Sequence, residues 1–102
     1  MDTIRCSRFL IDCVDRTMVR LLYLRMRLVR HVGRIKQARG LPVHDNIRET
    51  SVLNRIRCRI RPPLEAGQVK AVFEEIFRIS RELQKTLCVQ PEEETDDCGH
   101  ET

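Results

Sequence analysis

The segment from Thr3 to Arg39, TIRCSRFLIDCVDRTMVRLLYLRMRLVRHVGRIKQAR, contains no proline. Gly33 interrupts it at a cost of roughly 1 kcal/mol relative to alanine, whereas Gly40 and Pro42 form a clear stop signal. The pattern predicts one helix of about 36 residues, which would be about 54 Å long. That length exceeds the diameter of a compact domain of this size. Its apolar residues recur at helical spacing, namely at Leu10, Val14, Met18, Leu21, Leu22, Met26, Val29, Val32 and Ile35.

Two shorter helices are predicted to follow. The second runs from about Asn46 to Arg59 and ends before Pro62 and Pro63. The third runs from about Glu65 to Leu87. Aromatic residues make up only 4% of the chain and Trp is absent, which favours packed helices over strands. The predicted fold class is therefore all-α, with three helices per chain, one long and two shorter.

A single copy of these helices leaves the long apolar stripe without cover. A chain of 102 residues also buries only about two-thirds of the surface that its unfolded form exposes. We therefore expect an intertwined helical homodimer, in which two long helices pair and the shorter helices pack around them. Cys6 and Cys13, seven residues apart on one face, are expected to pack in the seam of this dimer.

The chain is expected to form one domain over residues 1–89, followed by an acidic tail over residues 90–102. The tail, QPEEETDDCGHET, has almost nothing apolar to bury, so we expect it to be disordered. Cys88, Cys98 and His100 could supply three metal ligands, but such a tail offers them no fixed geometry. We expect neither a metal nor a cofactor.

The cysteine pattern and the hydropathy indicate in which compartment of the cell the protein is found. The five cysteines form no CxxC pair, and the N-terminus lacks the pattern of a secretory signal. We therefore expect a reduced, cytoplasmic protein. Arginines interrupt every apolar run before it reaches the ~20 residues that cross a bilayer, so the sequence predicts a soluble protein without a membrane partner.

The positive charge is carried almost entirely by arginine. The net charge is +4, and only Lys36, Lys70 and Lys85 are lysines among 19 basic residues. Because arginine binds carboxylate and phosphate with two parallel hydrogen bonds, composition leaves open a nucleic-acid surface or a pocket for a small anion. No aromatic residues are interleaved for base stacking, and the acidic tail would compete for a basic surface. We therefore do not expect a nucleic-acid partner, which would bind through Arg16, Arg20, Arg27, Arg30 and Arg34.

Arg25 and Lys36 are eleven residues apart, close to three helical turns, so both project from one face about 16 Å apart. Two long side chains could span that gap around one small ligand, although spacing alone favours two solvent-exposed charges. Arg8 lies about 25 Å from Arg25 along the same helix and cannot reach the same pocket within one chain. In an antiparallel dimer it could approach the site of the other chain.

The stretch PVHDNIRETSVL, from Pro42 to Leu53, reads as a helix start. Asp45 or Asn46 can cap the helix, and Glu49, three residues after Asn46, can complete a capping box. Arg48 is unexplained by capping, because a cation in the first turn opposes the helix dipole. Its position indicates an anion nearby.

The remaining candidates are two polar residues of the third helix and two histidines. Ser80 and Gln84 are four residues apart and form either a solvent-exposed pair or part of a site. His44, like His31, has no nucleophile or carboxylate at a telling spacing, and we interpret both as surface or loop residues.

Taken together, these residues resemble the all-helical chorismate mutase family over residues 4 to 87. The segments that carry the resemblance are RFLIDCVDRTMVRLLYLR, VGRIKQARGLPVHDNIRE and VFEEIFRISRELQ. No single segment is specific, but the ordered set is. The resemblance implies a substrate-binding set at Arg8 of the partner chain, Arg25, Lys36, Asp45, Arg48, Glu49, Ser80 and Gln84.

The family rearranges chorismate to prephenate in phenylalanine and tyrosine biosynthesis, a pericyclic step with no covalent intermediate. The protein need only hold a compact conformer and stabilise charge. By the resemblance, the arginines of the set clamp the two carboxylates of chorismate. Lys36 and Gln84 donate to the ether oxygen, and Glu49, with Asp45 beside it, receives the ring hydroxyl. The expected catalytic residues are Arg25, Lys36, Glu49 and Gln84.

An alternative on the same fold is an isochorismate-pyruvate lyase. The full set of Asp45, Arg48 and Glu49 favours the mutase, because the related lyases tend to depart from it. Some family members are fused to, or complexed with, other shikimate-pathway enzymes, so a pathway enzyme is a possible partner of this chain.

Overall fold

A computed structural model describes residues 2–89, with side chains described through residue 86. It contains the three helices α1 (Thr3–Arg39), α2 (Asn46–Arg57) and α3 (Ala66–Val89), and the described residues include no strand. The all-α prediction is confirmed. The predicted acidic tail, with Cys98 and His100, lies outside the described residues.

Both ends of α1 are capped. The Asp2 side chain accepts a hydrogen bond from the Ile4 N–H at 3.1 Å. Gly40 follows the last turn in the left-handed region at φ 70°, and Leu41 N–H donates to the Lys36 carbonyl at 2.8 Å. The helix has the predicted ends, Thr3 and Arg39, and contains 37 residues. The longest dimension of the molecule is 57 Å.

The predicted start of α2 at Asn46 is confirmed, whereas its end and both ends of α3 were wrong by one or two residues. α2 ends at Arg57 and not at Arg59, because Arg59 N–H donates to the Ile56 carbonyl three residues back, at 2.8 Å. Such bonds tighten a final turn and end the α-helix. α3 begins after Glu65, whose N–H donates to the Gln68 side chain at 3.0 Å, and it extends to Val89 and not only to Leu87.

The core is thin and lies along α3, which contacts both α1 and α2. Among the α3 residues whose side chains are described, Phe77, Ser80 and Gln84 are buried; they are three and four residues apart and therefore on one face. The buried residue of α1 is Gly33, and no described residue of α2 is buried. The radius of gyration is 17.0 Å, against about 13 Å for a compact chain of this length.

The apolar stripe of α1 stays in contact with solvent in the single chain. Leu10 is 62% exposed, Val14 57% and Met18 52%. A stripe of this size marks an interaction surface. The homodimer remains a prediction, and so does the cytoplasmic location. No helix in the described part of the chain combines the length and apolarity that a membrane span requires.

Candidate active site

A cavity of ≈ 180 Å³ opens where α1, the start of α2 and α3 come together. Seven of the eight predicted site residues line it, and Arg8 lies on an exposed part of α1 outside it. Apolar side chains such as Val29, Val52 and Phe77 form part of the wall. The polar and charged lining residues are Arg25, Lys36, Asp45, Arg48, Glu49, Ser80, Arg81 and Gln84.

Arg25 lines the cavity and links α1 to α3. Its Nη1 donates to Ser80 Oγ at 3.1 Å, and its Cζ lies 5.8 Å from the centroid of the Phe77 ring, a cation–π distance. Burial and, secondarily, the charge of Arg48 lower the pKa of Arg25 below its ordinary value. Both causes disfavour the cation, so an anion bound beside Arg25 would offset both.

Two further donors line the cavity, one on α1 and one on α3. Lys36 Nζ donates to the Val43 carbonyl at 3.2 Å, in the loop that precedes α2. Gln84 Nε2 donates to the Val29 carbonyl of α1 at 2.9 Å, and Gln84 is only 7% exposed. The spacing of Ser80 and Gln84 left open a solvent-exposed pair or part of a site, and the first of these interpretations is wrong. Both residues are buried and line the cavity.

The start of α2 contributes the carboxylates. Asp45 is the N-cap, and its Oδ1 accepts the Arg48 N–H at 3.0 Å. The capping box predicted for Asn46 and Glu49 was wrong, since Glu49 lies four residues after the true cap and its carboxylate pairs with α3 instead. Capping holds the backbone of Arg48 while its side chain lines the cavity.

The Glu49 carboxylate has a hydrogen-bond partner on α3 and a neighbouring histidine in the loop before α2. Arg81 Nη1 donates to Glu49 Oε2 at 2.6 Å, and His44 Nε2 lies 3.8 Å from Glu49 Oε1. The interpretation of His44 as a loop residue stands, and its Nε2 lies within ion-pair distance of the Glu49 carboxylate but beyond hydrogen-bonding distance. Sequence reasoning also missed Arg81, although it lies four residues after Phe77 and three before Gln84, the spacing of one helical face.

These features define an all-helical protein with a small cavity that is rich in cationic and hydrogen-bonding side chains. The sequence matches the family Chorismate mutase type II over residues 7–85, and the chain belongs to this family. The resemblance found in the sequence is thereby confirmed.

Solved structures agree in fold and sequence. Form II of the chorismate mutase from Thermus thermophilus is 33% identical with a TM-score of 0.80, and the match covers 82% of this chain and 96% of that chain. The chorismate mutase from Helicobacter pylori, solved in complex with prephenate, is 26% identical with a TM-score of 0.79. That match covers 87% of this chain and 97% of the other.

A relative of known sequence is much longer. The 3-dehydroquinate dehydratase from Pyrobaculum aerophilum is 34% identical over 74 residues, which cover 72% of this chain and 21% of the relative. The chain therefore spans about a fifth of the length of that relative.

Proposed function

We propose that the protein is a chorismate mutase that converts chorismate to prephenate. Family membership supports this activity, as does the likeness to the Helicobacter pylori enzyme solved with prephenate. The observation that carries the proposal is the cavity itself, in which donors and carboxylates from three helices surround a space suited to one small dicarboxylate.

Binding would rest on the arginines. Arg25 and Arg48 line the cavity, and their guanidinium groups suit carboxylates. Arg8 is too distant along α1 to reach the cavity of its own chain, so the proposal assigns it to the cavity of the partner subunit. The same antiparallel pairing of two long helices would cover the exposed stripe on α1.

The rearrangement needs no proton transfer, so its acceleration would come from positioning and electrostatics. Negative charge develops on the ether oxygen as its bond breaks, and Lys36 and Gln84 are the donors proposed to meet it. An ammonium group carries three hydrogens and an amide two, so donation to Val43 or Val29 does not by itself prevent donation to substrate. Because these backbone contacts fix both side chains beforehand, little reorganisation is required during the reaction.

The direct test is to incubate the purified protein with chorismate and follow the loss of its ultraviolet absorbance. We expect turnover above the uncatalysed rate, and Lys36→Ala should reduce it by roughly 10²–10³-fold, as for one lost donor to developing charge. Lys85→Ala is the matched control, since Lys85 is an exposed lysine on α3 outside the cavity. A folded protein without turnover would contradict the proposal.

A further inference from the structure

Arg81 is a cavity residue that the proposed mechanism does not use. It lies on α3 and donates through Nη1 to Oε2 of Glu49 on α2, at 2.6 Å. Both side chains are largely withdrawn from solvent, at 29% and 21% exposure. Charge-assisted hydrogen bonds with such partial burial are among the stronger ones, and they orient both partners.

The two oxygens of Glu49 therefore have different surroundings. Oε2 is held by Arg81, whereas Oε1 lies 3.8 Å from His44 Nε2, beyond hydrogen-bonding distance. His44 is half-exposed and belongs to the loop before α2. Among the described residues, no hydrogen bond to Oε1 is found, so this oxygen is available to a ligand in the cavity that Glu49 lines.

The cavity contains cations that could capture a loosely held carboxylate. Four cationic side chains line it against the two carboxylates of Asp45 and Glu49, a net charge of two positive. If Glu49 rotated towards Arg25 or Arg48, it would occupy a guanidinium that the substrate carboxylates need. The bond to Arg81 opposes that rotation.

Arg81 also ties α2 to the rest of the molecule. None of the described residues of α2 is buried, so apolar packing holds this helix weakly. The ion pair joins positions 32 residues apart in sequence and connects the helix that carries Arg48 and Glu49 to the helix that carries Gln84.

We propose that Arg81 is a positioning residue for Glu49, which it holds so that Oε1 accepts the ring hydroxyl of the substrate. The inference rests on the proposed function and extends it to a residue outside the set implied by the family resemblance. Arg81 acts through Glu49 and not by direct contact with the substrate.

The experiment compares two substrates, chorismate and a chorismate derivative that lacks the ring hydroxyl. Arg81→Met removes the charge and keeps the length of the side chain. We expect kcat/KM for chorismate to fall about 10-fold, the order of one lost hydrogen bond to a charged group. KM should account for most of the change, because the hydroxyl is bound both before and during the rearrangement. For the derivative, kcat/KM should change less than about twofold, since its binding does not use Glu49 Oε1.

Two variants complete the test. Arg81→Lys keeps a cation near Glu49 and should restore a large part of the activity on chorismate. Arg78→Met is the matched control, because Arg78 lies on the same helix and pairs with Glu75 and Glu82 on its exposed face. Its kcat/KM should equal that of the parent for both substrates. If Arg81→Met does not fold, as judged by circular dichroism, Arg81→Gln takes its place.

Equal losses on both substrates would overturn the inference, since Arg81 would then contact the carboxylates or act only on stability. Unchanged kcat/KM for chorismate would overturn it too, while the proposed function would stand because the parent is active. An inactive parent would instead overturn the proposed function and this inference with it.

Discussion

Among single residues, Gln84 offers the sharpest test of the proposed mechanism. It is buried, and its amide nitrogen is held against the Val29 carbonyl. Gln84→Glu replaces a donor that does not titrate with one that donates only when protonated. We therefore expect the variant to be most active at acidic pH and to lose activity as pH rises through the pKa of the new carboxyl. Burial raises this pKa above that of an unperturbed Glu, and the cations of the cavity lower it.

The pH dependence of kcat for the parent and the variant checks this expectation. The parent should vary much less over the same interval, and Gln84→Ala should be slower than the parent by roughly 10²–10³-fold at every pH. Parental turnover of Gln84→Glu at neutral and alkaline pH would mean that Gln84 does not touch the reacting oxygen.

Among the helices, α1 ends at Arg39, and its cap at Gly40 sets where the loop to α2 begins. Gly40 has φ 70°, and a Cβ added there would meet nothing within 4 Å. The cost of Gly40→Ala should therefore be purely conformational, about 1 kcal/mol or slightly more in the free energy of unfolding. Denaturant unfolding monitored by circular dichroism measures it.

Gly67→Ala provides the matched comparison at the start of α3. A Cβ at Gly67 also meets nothing within 4 Å, but Gly67 lies inside a helix. Alanine should stabilise the protein there by about 0.5–1 kcal/mol. A stabilising Gly40→Ala would show that the left-handed turn after α1 is not retained in solution.

The elements also show which features sequence could predict. The C-terminal end of α1 was predictable because a glycine and a proline close to it in sequence end the helix. The partner of the Glu49 carboxylate was not predictable, because Arg81 lies 32 residues further along the chain. Spacing within one helix does not reveal contacts between helices. The same reason kept the burial of Gln84 open until α1 and α3 were seen to pack together.

For the whole molecule, the proposed dimer predicts that two inactive variants can complement each other in a mixed dimer. Arg8→Ala and Arg25→Ala should each be nearly inactive, because each removes a proposed carboxylate ligand from every site. When the two are unfolded together and refolded as a mixture, mixed dimers contain one site with both arginines intact. Random pairing makes half the dimers mixed, so about one quarter of the parental activity should return.

A mixture of Arg25→Ala and Lys36→Ala is the control for this experiment. Both residues belong to the same chain's cavity, so every site in a mixed dimer lacks one of them and no activity should return. Recovery in the control, or none in the first mixture, would contradict a site shared between chains.

The solvent-exposed stripe on α1 has a consequence for the newly synthesised chain. A single folded chain still presents Leu10, Val14 and Met18 to water, so folding alone does not hide them. In the proposed dimer, the stripe is covered only after two copies meet, and the rate of that encounter grows with the square of their concentration. At low expression an unpaired chain therefore stays exposed longer to chaperones, proteases and aggregation, and the yield of assembled protein per chain synthesised depends on how fast the cell makes it.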